Sequence, residues 1–439
     1  MIRRRTLLGS AALLAAPALV SRVGAQSAFD WKRFKGQTVY VNLPKMPRSE
    51  VLQAHHKEFE ALTGIRIVLD LMPEQQQRPK VALEMASGKP SFDVLYLAMH
   101  VQKKLVEKAR WMADLRTPLH DPTMTSPDFD FGDFSAAGLK SATASDGRLT
   151  VIPVNQDQFV LFYNKEMFAA KGVQPPRTLD ALLEAARKLT DPAKGIYGFV
   201  GRGVKNANVP LYTNMLMGWD QETITPDGRT LLIDTPQAIA AGQYFQTLMR
   251  EAAPPGEVGF NWNEAQTTFM QGRAAMWWDS IGLSAPLTDP TKSRVTEAMG
   301  FLPPPAGPKG AWSATFLEGM GIPNHAKNPG PGWYYVQWAA GKGMMNEAFR
   351  TGVGTPPRSS PYRIAEIIKT SKFPPQWFDT AVEALKMARS SLPEIVAVNE
   401  FRDTVGIALS NIIGGADVGK ELRAAKEAFA PTLAKELES

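Results

Sequence analysis

A short β-type run, Val39-Tyr40-Val41-Asn42, leads into a helix-like segment over about 49–62 and then into a second alternating run through Ile65, Ile67 and Leu69. Leu52, Phe59 and Leu62 share one face of that helix, and Thr63-Gly64 stops it with the residue that most readily takes the left-handed conformation. Strand, helix and strand in direct succession make a βαβ unit, for which a right-handed crossover onto a parallel sheet is the strong default. No other feature narrows the fold as much. The pattern continues through a helix at about 76–87, ended by Gly88 and Pro90, to a third strand over 92–97. A doubly wound α/β layer is the expectation.

Further along, 114–137 is rich in Pro, Asp and Phe without clear period, which predicts loops and short turns. Leu149–Val154 reads as a strand after the turn Ser145-Asp146-Gly147, and Phe159–Tyr163 as another. Thr178 caps a helix whose buried stripe is Leu179, Leu182, Leu183 and Leu189. A Gly-rich strand region comes next at 197–203, then a helix from Thr235-Pro236 to Arg250, a strand over 274–277, and a stiff connector at Pro303–Pro308. From Gly332 onward the pattern is mostly helical, closing in an amphipathic segment over about 420–436. There is no repeat of fixed period and no low-complexity tract.

The 439 residues suit two or three domains, and their formal net charge of +6 raises the question of an acidic partner. Residues 1–25 answer it. Arg3, Arg4 and Arg5 precede an apolar stretch from Leu7 to Val20, and Val23 and Ala25 suit a peptidase site before Gln26, the layout of a secretory signal peptide. The stretch is shorter than the roughly 20 residues that span a bilayer. Arg4-Arg5-Thr6-Leu7-Leu8 also resembles a twin-arginine export signal. This segment holds four arginines and no acidic residue, so the chain from Gln26 carries only +2. The expectation is a periplasmic protein, cleaved near Ala25, with no nucleic-acid partner. No apolar run of 18 residues occurs after it, and the absence of Cys excludes disulfide scaffolds, thiol nucleophiles, thiolate metal sites and an N-terminal lipid anchor.

Catalytic motifs are equally sparse. The five histidines, at 55, 56, 100, 120 and 325, fall in no HExxH or comparable spacing, and neither a G-x-S-x-G elbow nor a phosphate-binding P-loop occurs. Gly198, Gly201 and Gly203 read as turn glycines. No cofactor and no metal are expected. Paired carboxylates for glycoside cleavage leave no short signature, so that chemistry stays open. Tryptophan is the conspicuous residue type, with Trp219, Trp262, Trp277, Trp278 and Trp312 in one stretch, several beside polar groups. An indole face can stack on a sugar ring while nearby carboxylates and guanidinium groups take its hydroxyls; the alternative for each is a place in the core.

Several segments then occur in one order: Glu58–Ile65, Ala86–Val94, Gly147–Pro153 with Tyr163-Asn164-Lys165, Pro175–Thr178, Glu264-Ala265 with Phe269 and Gly272–Met276, and Pro303–Pro308 before Glu318–Ile322. In this order the chain resembles the family 1 extracellular solute-binding proteins of ABC importers, the maltose-binding-protein-like group. The resemblance implies a type II periplasmic binding protein with two discontinuous α/β lobes joined by hinge segments, the first from 26–154 and about 320–365, the second from 155–319 and about 366–439. It implies a monomer that closes on one small polar solute and hands it to ABC permease subunits in the inner membrane, without catalysis. Crossings are expected near 153–158 and 315–321.

By the same resemblance, ligand contacts fall on Lys45 and Arg48 after the first strand, His100 after the third, Asp157 in the crossing, Trp278 and Asp279, and Trp312 and Glu318. Trp219, Arg358, Glu400 and Arg402 are further candidates. Leu97 and His100 depart from the maltodextrin-binding pattern and favour a smaller sugar, polyol or sugar derivative; Arg48 and Arg358 leave room for an anionic substituent. Rival readings are an exported carbohydrate-active enzyme and the same fold with a non-sugar solute.

Overall fold

The computed structural model describes residues 29–438, and the export segment over 1–25 lies outside them. Among the described residues there are eight strands: β1 (Thr38–Pro44), β2 (Arg66–Met72), β3 (Val94–Ala98), β4 (Ile152–Asn164), β5 (Met276–Ser280), β6 (Met299–Leu302), β7 (Ser313–Gly321) and β8 (Ala388–Ser390). They run in the order β2-β1-β3-β7-β4-β5, with β6 also on β4 and β8 on β7. β1 is parallel to both β2 and β3, as the opening βαβ unit requires, with Val39 opposite Ile67 and Asn42 opposite Leu95. β7 then enters antiparallel between β3 and β4.

The helix expected over 49–62 is two helices, α1 (Pro47–Ala54) and α2 (His56–Thr63), broken at His55. The break lets each bury its own face: Arg48, Ser49 and Leu52 from α1, Phe59 and Thr63 from α2. Gly64 ends α2 at φ 70, the left-handed cap that the sequence asks for. Next come α3 (Glu74–Ala86) and α4 (Met99–Ala109). Thr178 and Thr235 cap their helices through their side-chain oxygens, accepting from the amides of Ala181 and Ala238.

The two strands expected at 149–154 and 159–163 are one strand of 13 residues, every position of it buried. The polar run Asn155–Gln158 stays extended because β7 pairs with it, from Asn155 opposite Glu318 to Gln158 opposite Thr315, past a register shift between Pro153 and Asn155. Two further expectations are corrected. The Gly-rich stretch 197–203 makes only isolated bridges, Tyr197 to Ala274 and Val200 to Trp277, and the strand expected over 274–277 runs from Met276 to Ser280.

β4 and β7 join two lobes. One core gathers Val39, Val41, Val94, Leu95, Val151, Ile152, Leu317 and Met320 with Trp333–Val336 of the helix Pro329–Ala339. Beyond the crossing, alternate residues of β4 face opposite sides. Phe159, Leu161 and Tyr163 join a core roofed by the helices Leu179–Leu189, Pro236–Ala252, Val398–Ile413 and Val418–Glu438. Val160 and Phe162 face another, with Trp277, Phe269, Phe301 and Trp377. A third passage lies at 353–357, where Thr355 binds Asn155, Gln156 and Gln158. Around it the chain alternates between lobes: Phe349 packs into the second, whereas Arg358 returns to the first.

Candidate functional site

Three parallel strands end at the same cleft, and the segment after each strand lines it. Behind β1 come Lys45 and Arg48, behind β2 come Glu74 and Arg78, and behind β3 come His100 and Gln102. Loops outside the carboxyl ends of strands are where open α/β sheets place their ligands. The crossing strands add Asp157, Phe316 and Glu318, and the second lobe adds Arg202, Asn206, Asn261, Trp262, Ser280 and Arg402. The cleft encloses about 690 Å³.

One wall is a buried hydrogen-bonded network. Arg48 donates through Nη1 to Glu318 and to the Tyr96 hydroxyl, each at 2.5 Å, and through Nη2 to the Val353 carbonyl at 2.9 Å. Tyr96 (2.6 Å) and Asn155 (3.1 Å) also donate to Glu318. Burial works against the Arg48 charge, but Tyr96, Glu318 and Asp157 outweigh it and raise its pKa. Asp157 accepts from the Ser280 hydroxyl and from the Gly282 amide (3.0 Å), yet burial still pushes its carboxyl up to about 6. His100 lies with Nδ1 at 3.2 Å from the Leu317 carbonyl and its ring edge-on to Phe316. Burial lowers its pKa to about 4, so it is neutral at neutral pH.

The opposite side carries guanidinium groups. Arg202 is held on both Nε (2.9 Å) and Nη2 by Asp279, a carboxylate with no exposed surface. Two glycines put it there: a Cβ on Gly201 would lie 2.6 Å from Leu211, and one on Gly203 would lie 2.0 Å from the Glu257 carbonyl oxygen. Arg78 pairs with Glu74 one helical turn away. Burial pushes the Glu74 carboxyl up, but Arg78, followed by Arg402, His100 and Arg202, holds it below its usual value. Arg402 donates to the Asn206 carbonyl at 3.0 Å, and its buried Nε has no acceptor among the described residues. Burial first, and Arg78 second, lower its pKa to about 10. Asn261 sets Trp262 at the rim by a capping box with Glu264.

Of the twelve residues expected from the sequence, the structure brings Lys45, Arg48, His100, Asp157, Glu318 and Arg402 to this cleft. The other six are elsewhere. Trp278 is 1% exposed and belongs to the core of the second lobe, because β5 turns it toward the helices. Trp219 packs on that core beside Tyr244. Trp312 lies under the guanidinium of Arg389, away from the cleft. Asp279 sits behind Arg202 and reaches the cleft only through it. Arg358 is 1% exposed, stacked on Phe134 and Phe129 and donating to the carbonyls of Phe129, Asp130 and Ala340. Glu400 is exposed on the helix Val398–Ile413, whereas Asn399 and Arg402 of that helix line the cleft. Sequence reasoning missed Glu74, Arg78, Arg202, Asn206 and Ser280. The first two come directly after a parallel strand, a position that could have found them; Gly201-Arg202-Gly203, a charge between two glycines, was the signal for the third.

This architecture has close counterparts. An erythritol/L-threitol-binding protein of Mycolicibacterium smegmatis is 27% identical over 416 residues, covering 90% of this chain and 86% of that protein. A solute-binding protein from Agrobacterium radiobacter, solved with ribitol, superposes with a TM-score of 0.82 at 22% identity, covering 91% of this chain and 99% of that one. Another from Agrobacterium vitis, solved with D-mannitol, gives 0.80 at 22% identity with the same coverage. The pattern that defines the bacterial extracellular solute-binding proteins matches residues 45–346. The sheet order, the paired crossing strands and that match place the chain in a family, and it belongs to the bacterial extracellular solute-binding proteins.

Proposed function

We propose that this chain is the solute-capturing subunit of an ABC importer, exported with its leader removed near Ala25, and that it binds a polyol or similarly small carbohydrate between its lobes. The observation that carries this reading is the lining of the cleft. Arg48 with Glu318, and Arg202 with Asp279 behind it, present fixed cationic donors, while Asp157 offers a carboxylate acceptor. A hydroxyl both donates and accepts, so a chain of hydroxyls can satisfy both signs at once. Among the described lining residues the aromatic cover is Phe159, Phe316 and Trp262 with the His100 ring edge-on to Phe316, little for stacking a long oligosaccharide. The ligands named for the relatives, erythritol or L-threitol, ribitol and D-mannitol, are all open-chain polyols, which supports the same class here.

Capture proceeds by closure of the lobes about β4, β7 and 353–357, with the lobes divided near 154 and 320, and the protein acts as a monomer that presents both lobes to a permease. It performs no chemistry on the solute. Glu318 is engaged by three donors and Asp157 by Ser280 and Gly282, an arrangement that fixes both carboxylates rather than leaving either as a mobile proton carrier. A thermal-shift screen of the chain from Gln26 against polyols, hexoses, oligosaccharides and amino acids tests the reading. Stabilisation by polyols or small sugars is expected, and a response to amino acids alone would overturn it. Products formed on incubation with glycosides would overturn the absence of catalysis.

A further inference from the structure

The two charges that the sequence offers for an anionic substituent are not free to serve one. Arg48 is matched by Glu318, and Arg358 is sealed in the first lobe away from the cleft. The unmatched charge lies at the other end. Arg48, Arg78 and Arg202 each have a carboxylate within ion-pair distance. Arg402, 9% exposed and lining the same cleft, has for its guanidinium a backbone carbonyl on Nη2 and nothing on its buried Nε among the described residues. Arg78 and Arg202 stand near enough to repel its charge, and Glu74 and Asp403 only partly offset them. Glu74 is already bound to Arg78, and Asp403 accepts from Asn206 at 3.0 Å. Among the described residues Lys45 also lacks an ion pair, but it is exposed and water solvates it.

A buried guanidinium with an idle N–H, packed among like charges, is relieved by an anion and only weakly by a neutral hydroxyl. Arg78 comes from the first lobe and Arg402 and Arg202 from the second, so an anion between them would also tie the lobes together. We infer that the solute carries a negative charge at one end, a carboxylate or a phosphate on a polyol chain, seated at Arg402 between Arg78 and Arg202, with its hydroxyls directed to Asp157, Glu318 and Arg48. This rests on the proposed polyol function and narrows it.

Calorimetric titration of the chain from Gln26 with sets matched in carbon number tests it, each set holding a polyol, its aldonate and its terminal phosphate. At least one anion is expected to bind about ten- to a hundredfold tighter than its neutral partner, the range for a charge-assisted hydrogen bond. Whichever anion wins identifies the group. Arg402→Gln should erase that preference by weakening the anion far more than its neutral partner, and Arg402→Lys should restore part of it. A neutral polyol that binds as tightly as both its anions overturns the inference and leaves the polyol function standing. Failure of every member to bind overturns both. The wild-type comparison decides even if Arg402→Gln does not fold.

Discussion

Arg48 gathers the first wall of the cleft. Its guanidinium holds a carboxylate, a phenol and a carbonyl from three separate parts of the chain, all largely buried. Removing one partner of such a pair leaves an uncompensated buried charge. Glu318→Ala should therefore destabilise the ligand-free protein by about 3–5 kcal/mol in urea unfolding; a loss below about 1 kcal/mol would mean that water hydrates Arg48. Asp157 makes a pH prediction. Its folded pKa of about 6 lies above the ordinary carboxylate value of 3.8, so the folded chain takes up its proton first and this group adds stability as pH falls from about 6 toward 4. His56 and His100 act in the opposite sense. Burial lowers both to about 4 from 6.5, so the unfolded chain is protonated first and stability is lost as pH falls through that window. In Asp157→Asn the Asp157 contribution is lost, while the histidines and the other shifted groups, buried Glu257 among them, act as in wild type. The stability of the variant relative to wild type should fall by roughly 2–3 kcal/mol between pH 7 and pH 4, and a flat difference would show that Asp157 titrates normally. Residue types were legible where a strand end or crossing fixed their direction, as for Arg48 and Glu318. They were not legible for Trp278, because the sequence does not state which face of β5 meets the helices.

The elements show where periodicity succeeds and where it stops. The opening βαβ unit, the caps at Thr178 and Thr235 and the stop at Gly64 arise from local chemistry and are present in the structure. Periodicity alone divides β4, because Asn155-Gln156-Asp157-Gln158 has the polarity of a loop. It is a strand because β7, far away in sequence, supplies the pairing. The segment at 197–203 is the converse: its strand-like residues make only isolated bridges, and its glycines at 201 and 203 serve close approach. Gly203→Ala would drive a Cβ into the Glu257 carbonyl, and we expect a loss of about 1–3 kcal/mol together with weaker solute binding as Arg202 shifts. Unchanged affinity would mean that Arg202 is held by Asp279 alone. Gly343 is the control. It is exposed inside the helix Lys342–Arg350 with open space about its Cα, so Gly343→Ala should stabilise by roughly 0.5–1 kcal/mol.

At the scale of the molecule, the charge of +6 that first suggests an acidic partner falls to +2 from Gln26 onward, and the arginines that matter instead converge on a cleft. The discontinuous lobes were legible only through the family resemblance, since no local pattern says that 313–321 returns to the strands of 38–98. Because both lobes share β4 and β7, solute should protect the whole chain in one step. At a hundred times its dissociation constant, it should raise the unfolding free energy by about 2.7 kcal/mol and move a single calorimetric peak. Two peaks, of which only one moves, would show that the lobes unfold independently.

The position of β7 between β3 and β4 has a consequence for how the protein comes into being. Strands β1 to β3 leave the ribosome early, yet the neighbour that completes their sheet arrives only after the long first segment of the second lobe has been made. That second lobe in turn waits for its last two helices, which end at Glu438. A growing chain that has not yet reached β7 therefore owns no finished half. A prematurely terminated product should leave exposed apolar strand and be cleared by proteolysis, instead of persisting as a stable fragment that competes for the permease.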